Sequence, residues 1–318
     1  MVSVKDIRQA HSRIMKHIVT TPLIHSTTLS EMTGGDVFLK LESKQVTGSF
    51  KARGALNRLM TLSKDDIKRG VITASTGNHG LGVAYAAKLL GVKAKVVFPR
   101  NASDVKKDRL LQAGVDVIQD ADYDEIESYA RSLAEQKGMT YVSPYNDPEI
   151  VAGAGTTGLE ILDQLDNIDT VIVPIGGGGL ISGIATIIKS ESPKTEVVGV
   201  QSEVSPEVYE SWLAGHWVDV EESDSLAQGL MGGVEADSIT LDIIQEYVDR
   251  VVLVKETSIL HAIQTLYERE RLLIEGAGAA STAVILENAQ EFSEKRVVLV
   301  LSGGNISKEE VQFLIKNQ

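Results

Sequence analysis

The stretch "TVIVPIGGGGLISGIATII", residues 170–188, joins two apolar runs through four consecutive glycines. It contains no charged residue, so hydropathy alone would suggest a membrane helix. Pro174 and the glycines at its centre rule out a continuous helix. A buried strand, a glycine turn and a helix fit the stretch, and this unit predicts an α/β fold without a membrane span.

Outward from this unit, short runs rich in Val and Ile alternate with helix-length segments. This alternation is typical of α/β proteins with mainly parallel sheets, whose strands are covered by helices on both faces. Strands are predicted at 37–42, 71–75, 94–99, 115–119, 170–175, 196–201, 250–255 and 296–302. Helices are predicted near 5–17, 51–62, 79–90, 104–113, 123–137, 153–166, 180–190, 206–214, 256–272 and 277–287.

The chain length predicts two lobes, because 318 residues exceed the usual size of a single core. Residues 69–146 are expected to hold four strands and to form a small domain. Residues 1–62 and 147–318 are expected to form a large domain. No Pro/Ser-rich linker separates the two, so they are expected to pack together around a cleft.

Composition excludes several classes of function. The net charge is -13 with acidic and basic residues well mixed, which argues against a nucleic-acid-binding surface. The absence of cysteine excludes disulfides, thiolate nucleophiles and cysteine-ligated metals. The first 17 residues carry charges throughout and contain no apolar leader, so a cytoplasmic location is expected.

Three loops follow predicted strands and carry groups that bind small anions. In "PIGGGGLISGI" (174–184), the glycines and the start of a helix present backbone N–H groups suited to a phosphate. "ASTGNHG" (74–80) offers hydroxyls, an amide and N–H groups suited to a carboxylate. The alternative interpretation of this segment is a turn in which Ser or Thr caps the next helix. "VLSGGN" (300–305) places Ser302 at the end of a parallel strand, where α/β sheets hold ligands.

The segment "TGSFKARGALNRL" (47–59) places Lys51 directly after Phe50 at the start of a predicted helix. Lysines are ordinarily solvated, but an amine beside an apolar ring in a cleft loses its proton more easily and can form an imine. A cofactor with a phosphate and an aldehyde accounts for this lysine and the three loops together. Pyridoxal 5'-phosphate is such a cofactor, with Lys51 as covalent anchor and base. The alternative is a binding module in which the loops hold a phosphate ligand and Lys51 lies on the surface.

The chain resembles the fold-type II pyridoxal-phosphate enzymes, the class of the tryptophan synthase β subunit, from about residue 5 to 310. It is most similar to their serine/threonine dehydratase and serine racemase branch. The resemblance implies two open, twisted, mainly parallel sheet domains with the cofactor in the cleft between them, and a homodimer. It is carried by "KLESKQVTGSFKARGA" (40–55), "ASTGNHGLGVAYAA" (74–87), "PIGGGGLISG" (174–183), "IEGAGAAS" (274–281) and "LSGGN" (301–305).

The resemblance implies a role for each residue of these segments that would meet cofactor or substrate. Lys51 binds the cofactor covalently and Phe50 packs on its ring. Asn78 hydrogen-bonds the ring hydroxyl, and Ser302 faces the pyridine nitrogen. The phosphate is held by the backbone N–H groups of Gly176, Gly177, Gly178, Gly179 and Leu180. The substrate carboxylate is received by the loop of Ser75, Thr76, Gly77 and His79.

Ser302 favours one reaction type. A hydroxyl cannot hold the pyridine nitrogen protonated as a carboxylate would, so the ring is a poorer electron sink and loss of a β-leaving group is favoured over transamination. The resemblance then implies an ammonia-lyase that removes water from a 3-hydroxy amino acid such as threonine or serine. The products are a 2-oxo acid and ammonia, and Lys51 removes the α-proton.

Two departures from the family pattern leave alternatives. Serine racemases have a serine where this chain has Thr76, whose hydroxyl is a candidate second base but whose methyl narrows the site. A racemase with side dehydratase activity is therefore one alternative. The segment "AQGLMGG" (227–233) is similar to the hydroxyectoine-utilisation dehydratases. Because Gly232 and Gly233 leave room for a larger side chain, the second alternative is a dehydratase that acts on a hydroxyectoine-derived amino acid.

A third departure concerns the divalent-cation site of the family, which binds Mg²⁺ or Ca²⁺. That site begins with a Glu after the "VVGV" strand, where this chain has Gln201, followed by Ser205 and Glu207. Loss of one carboxylate weakens a site for a hard cation. These three residues are therefore candidates only, and no metal site is assigned.

Overall fold

The computed structural model describes residues 1–100, 102, 104–122, 125–232, 234–307 and 311. Gly233, the neighbour of Gly232 in the "AQGLMGG" segment, lies outside them. The strands are Leu23–His25 (β1), Asp36–Leu41 (β2), Val71–Ala74 (β3), Ala94–Pro99 (β4), Asp116–Ala121 (β5), Thr140–Tyr141 (β6), Thr170–Pro174 (β7), Glu196–Ser202 (β8), Arg250–Val254 (β9) and Arg296–Leu301 (β10).

The α-helices, also in chain order, are Val4–Ile14 (α1), Thr27–Thr33 (α2), Lys51–Met60 (α3), Lys64–Arg69 (α4), Asn78–Leu90 (α5), Asp104–Gln112 (α6), Ile126–Lys137 (α7), Pro148–Gln164 (α8), Gly179–Glu191 (α9), Glu207–Ala214 (α10), Ile239–Tyr247 (α11), Glu256–Glu268 (α12) and Gly276–Asn288 (α13). In the part of the chain that the structure describes, no helix is both long and apolar enough to span a bilayer.

The strands form two separate sheets. A six-stranded sheet has the order β1-β2-β10-β7-β8-β9, and only the short edge strand β1 is antiparallel to its neighbour. A four-stranded sheet has the order β5-β4-β3-β6 and is parallel throughout. The predicted class, α/β with two mainly parallel sheets, is confirmed. The proposed domain boundaries stay a prediction, although all four strands of the smaller sheet lie within 71–141.

Helices cover the sheets because the central strands are apolar on both faces. Every residue of β7 is buried, and so is every residue of β3. Two large apolar cores lie on the two sides of the six-stranded sheet, one including Ile181 of α9 and the other Ala279 of α13. Helix α3 contributes Leu56 to a third core, which it shares with the smaller sheet. The helix that begins at Lys51 therefore packs against the core of the smaller sheet.

Several elements were absent from the sequence prediction. Strands β1 and β6 are three and two residues long, too short to give a periodic pattern. The charged segment 63–70 has a composition typical of solvated surface, and it forms α4, which a capping box between Ser63 and Asp66 stabilises. Helix α8 begins at Pro148 rather than near residue 153, because Asp147 caps it and proline suits the first turn.

Candidate active site

A cavity of about 840 Å³ opens at the carboxyl ends of β3, β7 and β10. Parallel α/β sheets bind their ligands at such ends. The structure brings together in its wall all the residues predicted to bind cofactor or substrate, namely Phe50, Lys51, Ser75, Thr76, Gly77, Asn78, His79, Gly176, Gly177, Gly178, Gly179, Leu180 and Ser302. Their individual roles stay predictions.

Backbone pairing fixes Lys51 beside the end of β10. Ser49 forms an antiparallel bridge with Gly303, and the Phe50 N–H donates to the Ser302 carbonyl at 3.1 Å. The Gly304 N–H donates to the Gly48 carbonyl at 2.9 Å. The segment before α3 is thus held against the loop after β10, although some 250 residues separate them in the chain.

The Lys51 amine lies in an environment that favours its neutral form. Its Nζ donates a hydrogen bond to the Pro144 carbonyl at 2.9 Å and lies 5.1 Å from the centroid of the Phe50 ring. Burial lowers the pKa of Lys51 to about 8, while the carboxylate of Glu127 acts in the opposite direction. A large fraction of the amine is therefore unprotonated near pH 8.

We expect the rate at which the apo-protein captures an aldehyde at Lys51 to rise with pH and to level off above about 8. Only the neutral amine attacks an aldehyde, so the rate follows its deprotonated fraction. The measurement is borohydride trapping with pyridoxal phosphate at each pH, followed by peptide mapping. The exposed Lys44, which lies outside the cavity lining, is an internal control. A Lys51 profile that coincides with that of Lys44 would contradict the assignment.

The glycine turn opens α9 toward the cavity. Gly178 has φ +82°, a conformation that residues with a side chain rarely adopt, and a Cβ on Gly177 would lie 2.2 Å from the Tyr145 ring. No side chain of the described residues caps the N-terminus of α9. Its first N–H groups and the positive end of its dipole are therefore available to an anion.

The loop before α5 is ordered by Ser75. Its Oγ accepts hydrogen bonds from the N–H groups of Gly77 at 3.0 Å and Gly80 at 2.9 Å, although the N-cap of α5 is Gly77. Asn78 donates to Glu275 Oε1 at 2.6 Å and accepts from Asn305 at 2.7 Å. The loops after β3 and β10 are thereby linked, and Glu275 also stands at the N-cap of α13.

His79 is only 4% exposed, and its imidazole is neutral. Burial, and then the nearby charge of Lys51, lower the pKa of His79 to about 3. Its Nε2 lies 3.3 Å from the Val142 carbonyl, to which a neutral ring donates. The side chain thus supports the segment whose Pro144 carbonyl holds Lys51. Its predicted contact with a substrate carboxylate stays a prediction.

A polar cluster at the cavity wall was missed from the sequence. Arg131 of α7 pairs with Glu235 and lies 4.3 Å over the Tyr141 ring, and Asn146 donates to Glu235 at 2.6 Å. Glu127, one turn before Arg131, also lines the cavity. No sequence signal could have found this cluster, because charges on a surface helix usually indicate a solvated face.

The metal candidates are engaged with protein groups. Gln201 Oε1 accepts from the Tyr209 N–H at 2.8 Å, the Ser205 hydroxyl donates to Glu222, and Glu207 accepts from Trp217 at 3.2 Å. Glu207 is the member of the three that lines the cavity. Within the described ranges, no group of three or more His, Asp or Glu is arranged to hold a metal ion.

Comparison with known proteins identifies the family. The model of the pyridoxal-phosphate dependent enzymes matches residues 14–303. The chain belongs to this family. An L-threonine ammonia-lyase of Thermotoga maritima is 41% identical over 317 residues, which cover 99% of this chain and 78% of that protein. A catabolic L-threonine dehydratase of Staphylococcus aureus is 43% identical and covers 100% of this chain and 93% of its own.

Solved structures agree with this membership. Maize serine racemase superimposes with a TM-score of 0.93 at 32% identity, over 99% of this chain and 97% of its own. The residues of the cavity fit pyridoxal phosphate on their own chemistry. A half-buried amine of lowered pKa, an uncapped helix N-terminus and the polar Asn78 and Ser302 line the cavity, and a Cβ at Gly177 would disturb the turn. Membership of the pyridoxal-phosphate enzyme family thus explains why these groups lie together in one cavity.

Proposed function

We propose that this pyridoxal-phosphate enzyme is an ammonia-lyase that removes water from threonine or a similar 3-hydroxy amino acid. The observation that carries the proposal is the Lys51 amine, whose pKa is lowered to about 8, in a cavity that an uncapped helix N-terminus also lines. The threonine ammonia-lyase and dehydratase at 41% and 43% identity support the substrate class.

Each group of this chain has a definite task in the proposed reaction. The N–H groups of the 176–180 turn bind the phosphate, and Asn78, oriented by Glu275 and Asn305, binds the ring hydroxyl. When bound, pyridoxal phosphate supplies a covalent attachment for the substrate amine and an electron sink for the α-carbon. Lys51 Nζ removes the α-proton, since its neutral form is well populated near pH 8.

Ser302 supports elimination over transamination. It lines the cavity and follows β10 directly, next to the Phe50 backbone. Its neutral hydroxyl can hydrogen-bond to the ring nitrogen. Unlike an aspartate, it does not stabilise a positive charge there. Departure of the β-hydroxyl is then the favoured outcome after loss of the α-proton. The unsaturated product hydrolyses to a 2-oxo acid and ammonia.

The holo-protein incubated with L-threonine is expected to release 2-oxobutanoate and ammonia in equal amounts. Both are measured directly, by reduction of the 2-oxo acid with a coupled dehydrogenase and by an ammonia assay. Chiral chromatography of the remaining amino acid is the parallel readout. Racemisation of serine without release of a 2-oxo acid would overturn the proposal in favour of the racemase alternative, which the Thr76 hydroxyl in the cavity wall supports.

Two further parts of the proposal rest on the sequence alone. We include a homodimeric assembly, which light scattering during size-exclusion chromatography tests, and a cytoplasmic location, which fractionation of the source cells tests. A hydroxyectoine-derived amino acid is tested as a substrate together with threonine, serine and 3-hydroxyaspartate, by measuring release of a 2-oxo acid.

A further inference from the structure

The Glu127 side chain is a carboxylate in the cavity wall to which the proposed reaction assigns no task. It lies in the first turn of α7, beside the smaller sheet, and hydrogen-bonds to the Tyr145 side chain. Its charge interacts with the Lys51 amine, so it lies within electrostatic reach of the group that acts on the substrate. An acidic group at this position meets the side chain of a bound substrate.

The other cations that line the cavity are engaged with protein groups. Arg131, one turn along α7, forms an ion pair with Glu235. Lys106 donates to Gln228 at 2.6 Å across the cavity. Arg131 and then Lys51 are the cations that act on Glu127, and the charge of Lys51 is lost whenever the amine reacts. During turnover, the substrate side chain therefore meets a carboxylate that has lost the charge of Lys51, while Arg131 is engaged in its ion pair with Glu235.

We propose that Glu127 determines substrate specificity by excluding amino acids with an anionic side chain and accepting those whose side chain is neutral or donates a hydrogen bond. This inference rests on the proposed function and narrows its substrate class. Two carboxylates that share a poorly solvated site repel each other strongly, whereas a hydroxyl can donate to one. Threonine and serine then fit the site, and 3-hydroxyaspartate is rejected.

The rejection of 3-hydroxyaspartate is expected to depend on pH. Burial, and then the charge of Glu235, raise the pKa of Glu127 to about 7, while Arg131, Lys51 and the hydrogen bond from Tyr145 oppose the rise. Below pH 7 the carboxyl is protonated and repulsion is weak; above pH 7 it is ionised and repulsion is full. The side-chain carboxylate of 3-hydroxyaspartate stays ionised throughout, since an ordinary aspartate titrates near about 3.9.

The test compares kcat/KM for threonine and for 3-hydroxyaspartate between pH 6 and 8. In the wild-type enzyme the threonine preference should increase with pH, whereas in Glu127→Gln it should be flat and at least about ten times smaller at pH 8. The ratio cancels titrations common to both substrates, such as that of Lys51. Glu127→Asp, which keeps the charge, should retain the preference. Glu125→Gln, at the exposed N-cap of the same helix, is the matched control.

A binding measurement separates failure of this inference from failure of the proposed function. Calorimetry gives the affinities of the holo-protein for L-alanine and L-aspartate, neither of which carries a β-hydroxyl. Glu127→Gln should reduce the alanine-to-aspartate affinity ratio at least about tenfold. A ratio unchanged within twofold overturns the inference, whatever the activity. If no 3-hydroxy amino acid yields a 2-oxo acid, the proposed function fails and the affinity ratio alone decides the role of Glu127. If Glu127→Gln does not fold, Glu127→Ala replaces it.

Discussion

Lys51→Ala is expected to reduce the rate of 2-oxo acid release by on the order of 10³- to 10⁴-fold, the range typical of losing a positioned acid–base group. The side chain has two tasks in the proposed reaction, as covalent anchor and as base, and no second amine of the described lining can replace both. Lys106 is engaged with Gln228. The measurements are kcat with threonine and peptide mapping after borohydride reduction with pyridoxal phosphate.

Lys44→Ala is the matched control, because Lys44 is exposed and lies outside the cavity lining. Its rate and labelling pattern should equal those of the wild-type protein. A Lys51→Ala enzyme that retains more than about a tenth of the wild-type rate would contradict the assigned role, since a base contributes at least about 10²-fold. Borohydride labelling of a lysine other than Lys51 in the wild-type protein would contradict the anchor.

Arg53→Met is expected to destabilise the protein by about 3–5 kcal/mol, the cost of breaking a buried ion pair. Arg53 is fully buried and makes two hydrogen bonds of 2.8 Å to Glu42, which is also fully buried. It further donates to Glu160 at 2.6 and 2.8 Å. Burial alone would lower the pKa of Arg53, but these carboxylates raise it, so the guanidinium is charged. Methionine leaves Glu42 buried without its cation.

Urea denaturation followed by circular dichroism measures the free energy of unfolding of this variant. Arg8→Met is the matched control, because Arg8 pairs with Glu191 on the surface, where its side chain is 58% exposed. Exposed pairs contribute only about 0–1 kcal/mol. Equal losses of stability in the two variants would show that the buried cluster does not hold the start of α3, and with it Lys51, as the contacts indicate.

Long, strongly apolar strands and their helices could be predicted from the sequence, as could the loops that follow them. Strands β7 and β10 and the glycine turn at 176–179 have local patterns that only one kind of structure satisfies. The short β1 and β6 could not be predicted, because their pairing partners lie elsewhere in the chain. The start of α8 was missed although Asp147 and Pro148 form a recognisable capping signal.

The residues of the site likewise fall into those that the sequence predicts and those that only the tertiary structure brings together. By itself, the sequence determined which groups are chemically able to hold a phosphate and to form an imine, because glycine N–H groups and a lysine beside an aromatic ring are local features. Only the tertiary structure decided that Glu127 and Tyr145 border the same cavity and that Lys51 hydrogen-bonds to Pro144. Those contacts join residues far apart in the chain, and burial shifts the pKa of Lys51 and of Glu127 only once the fold has removed water from around them.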